Sequence, residues 1–170
     1  HNYATGFLYH YWLTGDPRSK ESVIALADNI GNLLEGSNII LERCVATGKI
    51  IVKWLIKKLN RSLGEHDMVY EFNGPGRASG NALNTLLDAY LLSSDANYMR
   101  CAEKLIRRCV SPEDNIAARD LLNAEIRWMY TIFLQALGKY LDIKHAAGQL
   151  DQFFWYARTV LLNYAGWMVE

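Results

Sequence analysis

The stretch YWLTGDPRSKESVIALAD, residues 11–28, determines the architecture because it holds a helix end, a turn and a helix start in succession. Gly15 stops the first helix, and the Asp16 carboxylate can accept hydrogen bonds from the N–H groups that open the next helix. Pro17 follows in the first helical turn, where its missing N–H costs nothing. From Val23 to Leu34, apolar residues recur every three or four positions, which is typical of a helix with one buried face. The stretch predicts a helical hairpin.

A similar arrangement recurs 79 residues later in the chain. A shift by that distance aligns five identical residues: Asn2 with Asn81, Tyr11 with Tyr90, Leu13 with Leu92, Asp16 with Asp95, and Leu26 with Leu105. Both copies read as a helix, a short turn with an aspartate, and a second helix. A third pair of amphipathic segments follows, joined by a different turn. Hairpins repeated in this way bury their apolar faces against one another, as in helical solenoids or closed toroids.

Apolar periodicity along the chain predicts an all-α fold, since no segment alternates convincingly as a strand. We predict one domain covering residues 1–170, built from antiparallel hairpins with about seven helices: 3–14, 17–35, 41–60, 80–93, 96–110, 114–142 and 151–168. The segment 60–79 is polar, rich in glycine and longer than an ordinary connection between helices. Long loops in compact domains are usually functional or disordered, so this loop is a site candidate.

The charge balance and the hydropathy exclude two classes of partner. The 170 residues carry 18 basic and 18 acidic side chains, so no overall field attracts nucleic acid or an anionic membrane surface. No apolar run approaches the length that a membrane span requires. We therefore predict neither nucleic-acid binding nor membrane insertion.

The cysteines and histidines predict neither a metal site nor a cofactor. Cys44, Cys101 and Cys109 lack the spacing of a zinc site or a disulfide framework, and no two histidines have helical ligand spacing. We interpret Cys101 and Cys109 as small core residues on one apolar stripe. Unpaired thiols slightly favour a reducing, cytoplasmic setting, whereas a signal segment lost from a longer parent chain would leave the compartment open.

Residues 11–28 resemble the hairpin signature of the six-hairpin (α/α)6-toroid glycosidase superfamily, and YLLSSDANYMRCAEKLI, residues 90–106, resembles a more divergent copy. The resemblance covers about half of the chain. A complete toroid has six hairpins, so it implies either a fragment of a longer enzyme or an open helical array. It further implies that the predicted helices 3–14, 80–93 and 114–142 are inner helices, whose ends and preceding loops form a substrate cleft.

The resemblance places several polar and aromatic residues at that cleft. The substrate-binding candidates form the rim of that cleft. Five of them lead into or begin the first two predicted inner helices, His1, Asn2, Tyr3, Arg77 and Asn81, and two lie within the third, Arg127 and Trp128. The segment NGPGRASG, residues 73–80, lacks the Walker and Rossmann patterns. Its glycines nevertheless allow close backbone approach, and Arg77 offers a planar fork for a carboxylate or a phosphate, as on a uronate sugar.

Cleavage of a glycosidic bond requires two carboxyl groups that flank it. Asp88 and Glu125 are the catalytic candidates, since both lie within predicted inner helices. The alternative interpretation makes Asp88 an exposed helix residue and Glu125 an intrahelical partner of a nearby arginine. His10 is predicted to be a hydrogen-bonded structural residue rather than a general base.

The aromatic residues leave two functions open. Large rings usually fill helix interfaces, so most of the following are predicted to be core: Tyr9, Tyr11, Trp12, Trp128, Tyr130, Trp155 and Tyr156. We predict a carbohydrate-binding or carbohydrate-processing domain that acts on an acidic oligosaccharide, and the processing activity in question is that of a glycoside hydrolase or a polysaccharide lyase. The alternative is a helical-repeat scaffold that binds a protein partner without catalysis.

Overall fold

The computed structural model of the protein describes residues 4–35, 72, 74–119, 121–123 and 127–169. Within these residues it contains six α-helices, one 3-10 turn and no strand, which confirms the all-α prediction. The helices are α1 (Ala4–Thr14), α2 (Pro17–Glu35), α3 (Arg77–Ser93), α4 (Ala96–Cys109), α5 (Tyr130–Ala146) and α6 (Gln152–Val169), and the 3-10 turn is Ala117–Arg119. The predicted helix 41–60 and most of the predicted loop 60–79 lie outside the described residues.

Helix α3 occupies the centre of the structure. It packs against α1, α2, α4 and α5, while α6 packs against α5. Because neighbours surround it, α3 is buried on most of its faces, and Leu83, Leu86 and Leu87 are fully enclosed. Two contacts show that α3 and α5 run in the same direction: Gly80 meets Phe133 near the start of both helices, and Asp88 meets Lys139 further along. Both helices therefore begin at the same end of the structure.

The first two hairpins end their leading helices in the same way. In the α1–α2 turn, Gly15 adopts φ +70° and donates its N–H to the carbonyl of Tyr11 at 2.7 Å. In the α3–α4 turn, Ser94 adopts φ 57° and donates its N–H to the carbonyl of Tyr90 at 2.8 Å. Glycine adopts the left-handed conformation without strain, whereas serine adopts it at an energetic cost. The two turns therefore share one backbone geometry, which is unstrained at Gly15 and strained at Ser94.

The helices that follow these turns also begin alike. The Asp16 carboxylate accepts the backbone N–H of Arg18 at 3.1 Å, and the Asp95 carboxylate accepts that of Asn97 at 2.8 Å. Each aspartate thus satisfies one of the N–H groups left open at a helix start, as the sequence predicts. A further pair matches as well: the hydroxyl of Thr14 donates to the carbonyl of His10 at 2.6 Å, and that of Ser93 donates to the carbonyl of Ala89 at 2.7 Å.

The single long helix predicted for residues 114–142 is wrong. Residues 117–119 form a 3-10 turn, residues 128–129 form a further turn, and α5 begins at Tyr130. It also ends later than predicted, at Ala146. A smaller difference affects α3, which begins at Arg77 rather than at residue 80.

Side-chain hydrogen bonds to the backbone explain the break. The Asp114 carboxylate accepts the N–H of Ser111 at 3.0 Å, and the Asn115 carboxamide oxygen accepts the N–H of Ala118 at 3.2 Å. Such bonds offer the backbone an alternative to helical pairing. The bond from the N–H of Ser111 to Asp114 is the one that a capping box would form, but here it closes a turn instead of opening an α-helix.

The core is built from aliphatic and small residues more than from rings. Cys101 and Cys109 are buried free thiols, as predicted, and burial raises the pKa of the Cys109 thiol to about 11. The prediction that most of the seven aromatic residues are core is wrong: Tyr11, Tyr130 and Tyr156 are partly buried, and the other four are about half exposed. Alanines fill many interhelical positions, namely Ala4, Ala27, Ala82, Ala89, Ala102, Ala136 and Ala157. The rings that do lie in the core are others, namely Phe72, Phe133, Tyr140, Phe154 and Tyr164.

Gly80 marks the closest approach of α3 to α5. A methyl group at this position would stand 2.8 Å from the backbone nitrogen of Phe133 and 2.9 Å from the carbonyl carbon of Ile132. Both atoms belong to the backbone and cannot rotate away. The two helices can therefore lie this close together only while position 80 lacks a side chain.

We expect Gly80→Ala to lower the free energy of unfolding by about 2 kcal/mol, because the added methyl group must push α3 away from α5. Urea unfolding measures the difference. Gly138→Ala is the matched control within α5, since nothing lies within 4 Å of the added methyl group. The control should be neutral or stabilise the protein by up to about 1 kcal/mol through helix propensity. Equal stability of both variants would contradict the close contact.

A buried lysine joins three helices at the opposite end of α5. Lys144 is almost fully buried and donates to Glu103 on α4 at 3.1 Å and to Asp151 before α6 at 2.5 Å. Burial alone would lower the pKa of Lys144, but the hydrogen bonds to Asp151 and Glu103 outweigh it and raise the pKa. Burial would likewise raise the pKa of Asp151, but the hydrogen bonds from Lys144 and from the backbone of Phe154 hold it below its ordinary value.

We expect Lys144→Met to lower the free energy of unfolding by about 3 kcal/mol at neutral pH, because it leaves two carboxylates without their shared cation. A depressed carboxyl pKa stabilises the fold above the ordinary value of 3.8 and ceases to do so as the pH falls through the folded pKa. The difference in the free energy of unfolding between wild type and variant should therefore become smaller below pH 3.8. Urea unfolding across this range tests it, with the exposed Lys104→Met as the control. A stability difference that does not change with pH would contradict the ion pairing of Lys144 with the two carboxylates.

Candidate functional site

A polar pocket of about 470 Å³ lies at the end of the structure where α3 and α5 begin. Its walls come from residues 74–77, from the 3-10 turn, and from the residues that lead into α5. The N–H groups that open a helix have no partner within that helix and carry partial positive charge. Two helix starts therefore face the same space.

Three arginines line this pocket, and we name it the arginine pocket after them: Arg77, Arg119 and Arg127. Among the described lining residues there is no carboxylate. The guanidinium groups place positive charge in the pocket wall, although the chain as a whole carries no net charge and one of the three, Arg119, is paired with Asp114. Such a pocket suits a ligand with acidic groups.

Arg119 is held in place by a network behind the pocket. Its Nη2 lies 2.8 Å from Oδ2 of Asp114, which also accepts the N–H of Ser111 at 3.0 Å. The hydroxyl of Tyr164 on α6 donates to the same carboxylate at 3.2 Å. Burial raises the pKa of Tyr164, and the neighbouring carboxylate raises it further, so its hydroxyl keeps its proton for this bond. Arg119 is thus pre-positioned before any ligand arrives.

The loop Gly74–Gly76 forms the opposite wall. Gly74 adopts φ +89°, and a side-chain carbon there would stand 3.0 Å from Nη1 of Arg119. The buried hydroxyl of Ser79 secures the loop, because it accepts the N–H of Gly76 at 2.9 Å and donates to the carbonyl of Gly74 at 2.8 Å. A glycine at position 74 is therefore required both by its conformation and by the arginine beside it.

Two predicted substrate-binding residues, Arg77 and Arg127, line the arginine pocket. Two others are close to these arginines in the sequence but do not line the pocket. Asn81 lies one turn after Arg77 and is partly buried, while Trp128 is about half exposed, and neither lines the pocket. The other four predicted site residues, His1, Asn2, Tyr3 and Glu125, lie outside the described residues.

The environment of Asp88 contradicts its interpretation as an exposed helix residue. It is fully buried rather than exposed, and its carboxylate accepts hydrogen bonds from Thr5 of α1, at 2.8 Å, and from Lys139 of α5. It lies eleven residues after Arg77, about 16 Å along the helix, and does not line the arginine pocket. Its contacts are those of a link between three helices, and its catalytic role stays a prediction.

His10 makes a structural contact between two helices. His10 Nδ1 lies 2.8 Å from the hydroxyl of the buried Ser19, so the imidazole links α1 to α2.

Across the described parts of the chain, no three His, Cys, Asp or Glu side chains are grouped so that they could hold a metal ion. In those same parts, no helix is long and apolar enough to cross a membrane.

Comparisons with known proteins identify no relative of this chain. No protein-family model matches the chain, and neither a search of curated proteins nor a search of solved structures finds a similar one. The functional argument therefore depends on the arginine pocket itself.

We expect Asp88→Ala to lower the free energy of unfolding by about 3 kcal/mol, because Thr5 and Lys139 would lose a buried acceptor. Asp88→Asn should cost less, since the amide oxygen still accepts from Thr5. Thermal unfolding of both variants measures this, and Asp142→Ala, at an exposed aspartate of α5, is the control. If Asp88→Ala were as stable as the control, Asp88 would not be a structural link.

Proposed function

We propose that this helical domain binds an acidic oligosaccharide in the arginine pocket. The observation that carries the proposal is the convergence of Arg77, Arg119 and Arg127 with the starts of α3 and α5 on one polar pocket. A guanidinium group offers a planar pair of donors that matches the two oxygens of a carboxylate. Uronate sugars present that group on a ring with further hydroxyls.

The size and the remaining walls of the pocket also support a sugar ligand. Its volume falls within the range of about 300–1,000 Å³ that small-molecule sites occupy. Leu121, Met129 and the partly buried Tyr130 line it beside the arginines and offer apolar surface to the faces of a ring. A ligand that combines acid groups with a compact, partly apolar ring would satisfy both kinds of wall.

We further propose that the first two hairpins are copies of one unit in a toroid-like or solenoid-like array. The matched turns at Gly15–Asp16 and Ser94–Asp95 support the relation between the two hairpins. The shared direction of α3 and α5 supports the array, because the leading helices of successive hairpins run the same way in it. In this arrangement α3 and α5 are inner helices, and the arginine pocket lies at the mouth into which they open. That position agrees with the cleft that the resemblance to the toroid glycosidases implies.

The proposal concerns binding and assigns no catalytic group. Glycoside cleavage requires two carboxyl groups on either side of one bond, about 5–10 Å apart. Asp88 lies about 16 Å from Arg77 along α3 and is engaged by Thr5 and Lys139. A buried carboxylate in an ion pair is poorly placed to meet a sugar held by Arg77.

We expect Arg77→Ala to weaken the binding of a tetrauronate at least tenfold, because a charge-assisted hydrogen bond contributes about 1.5–3 kcal/mol. Isothermal titration calorimetry measures this, with a neutral tetrasaccharide of the same linkage as the ligand control. Arg18→Ala is the matched protein control, since Arg18 is largely exposed and pairs with Asp16 at a turn remote from the pocket in sequence. Unchanged binding by Arg77→Ala would remove Arg77 from the site.

The second candidate function is a scaffold that binds a protein partner. Its support is the outer face of α6, where Trp155, Leu162 and Val169 are spaced seven residues apart and are all exposed. Residues with this spacing form one stripe along a helix, and the opposite stripe of α6 is already buried. If tetrauronate and the neutral sugar both failed to bind, and Leu162→Ser abolished capture of a protein partner, the scaffold function would replace the first proposal.

A further inference from the structure

We infer that Arg119 binds the acid group of the ligand, and that Asp114 and Tyr164 are positioning residues that hold its guanidinium group ready for this contact. Arg119 then determines the preference of the pocket for an acidic over a neutral sugar. This inference rests on the proposed function and specifies the residue that recognises the acid. Two features support it: the contacts that restrain the guanidinium group, and the burial of the residues that make them.

The Asp114 carboxylate fixes one end of the Arg119 guanidinium group. Nη2 of Arg119 lies 2.8 Å from Oδ2 of Asp114. The same oxygen accepts the N–H of Ser111 at 3.0 Å and the hydroxyl of Tyr164 at 3.2 Å. Because these two groups hold the carboxylate independently of Arg119, the ion pair sets where the guanidinium group lies.

The loop Gly74–Gly76 restricts the guanidinium group on a second side. A side-chain carbon at position 74 would stand 3.0 Å from Nη1 of Arg119, so the loop backbone already lies close to this nitrogen. The hydroxyl of Ser79 secures the loop in turn. Both terminal nitrogens of Arg119 are thus restrained, and a donor that is already oriented loses little freedom when it binds.

Arg119 is accessible from the pocket, whereas the residues that hold it are not. Its side chain is 29% exposed, against 16% for Asp114, and Tyr164 is fully buried. A guanidinium group carries five N–H donors, so an ion pair through Nη2 leaves donors for a second carboxylate. A ligand in the pocket can therefore contact Arg119 without displacing the groups behind it.

Arg127 lines the same pocket but is less suited to this role. It is exposed, so its side chain must lose more freedom to bind an acid group, and that loss offsets part of the gain. The comparison of Arg119 with Arg127 therefore distinguishes a positioned donor from a positive charge that merely lies nearby.

The test measures how strongly variants of the full chain prefer a tetrauronate to a neutral tetrasaccharide of the same linkage, by isothermal titration calorimetry. Arg119→Gln should weaken tetrauronate binding about tenfold or more and leave the neutral sugar nearly unaffected, because a charge-assisted hydrogen bond is lost. Arg127→Gln removes the same charge from another wall and should weaken it less. Thermal unfolding checks that both variants fold.

Tyr164→Phe tests the positioning without removing a charge or an arginine donor. We expect about threefold weaker binding of the tetrauronate, because the ligand must then order Arg119 itself. Tyr156→Phe is the matched control, since Tyr156 lies on the same helix and donates its hydroxyl to the carbonyl of Val110 at 2.6 Å. Adding Tyr164→Phe to Arg119→Gln should not weaken tetrauronate binding further, because the two residues act through one contact.

The outcomes separate this inference from the proposed function. If Arg119→Gln kept the full preference for the tetrauronate while Arg77→Ala lost it, the inference would be overturned and acidic-sugar binding would stand. Equal losses in Arg119→Gln and Arg127→Gln, or in Tyr164→Phe and Tyr156→Phe, would also overturn it. A wild-type protein that bound neither sugar, or bound both equally, would overturn the inference and the proposed function together.

Discussion

Position 80 carries no side chain, and the backbone of α3 therefore lies directly on that of α5 at Ile132 and Phe133. This contact sets the distance between the two helix starts a few residues earlier. Arg77 on one side and Arg127 on the other can share a pocket only because the helices meet so closely. The arginine pocket is thus a consequence of helix packing at a single glycine, not of a dedicated loop alone.

Local signals accounted for most of the helices. The pairs Asp16–Pro17 and Ser94–Asp95 fix helix starts through bonds between residues two positions apart, and such bonds can be read from the order of the residues. The error at 114–142 has a different origin. There Asp114 and Asn115 bond to nearby backbone groups in place of helical partners, and apolar periodicity does not register that competition.

The site was only partly predictable for a related reason. Arg77 follows two glycines and begins a helix, so its neighbourhood marks it in the sequence. Arg119 carries no such mark, because its position depends on Asp114 and on Tyr164, a residue fifty positions further along from that aspartate. Sequence patterns describe neighbours along the chain, whereas this arginine is defined by a tertiary contact. The exposed rings of Trp12 and Trp155 escaped prediction similarly, since the packing of neighbouring helices decides which face of a helix is buried.

The hydroxyl of Tyr164 has a consequence for how the molecule responds to a ligand. It ties α6 to the carboxylate that orients Arg119, so the pocket is complete only while the final helix is docked. If the proposed ligand binds in the arginine pocket, its binding and the docking of α6 favour each other by the same free energy, since coupling between two equilibria is reciprocal. An occupied pocket would slow amide hydrogen exchange in α6, and anything that pulled α6 away would release the ligand.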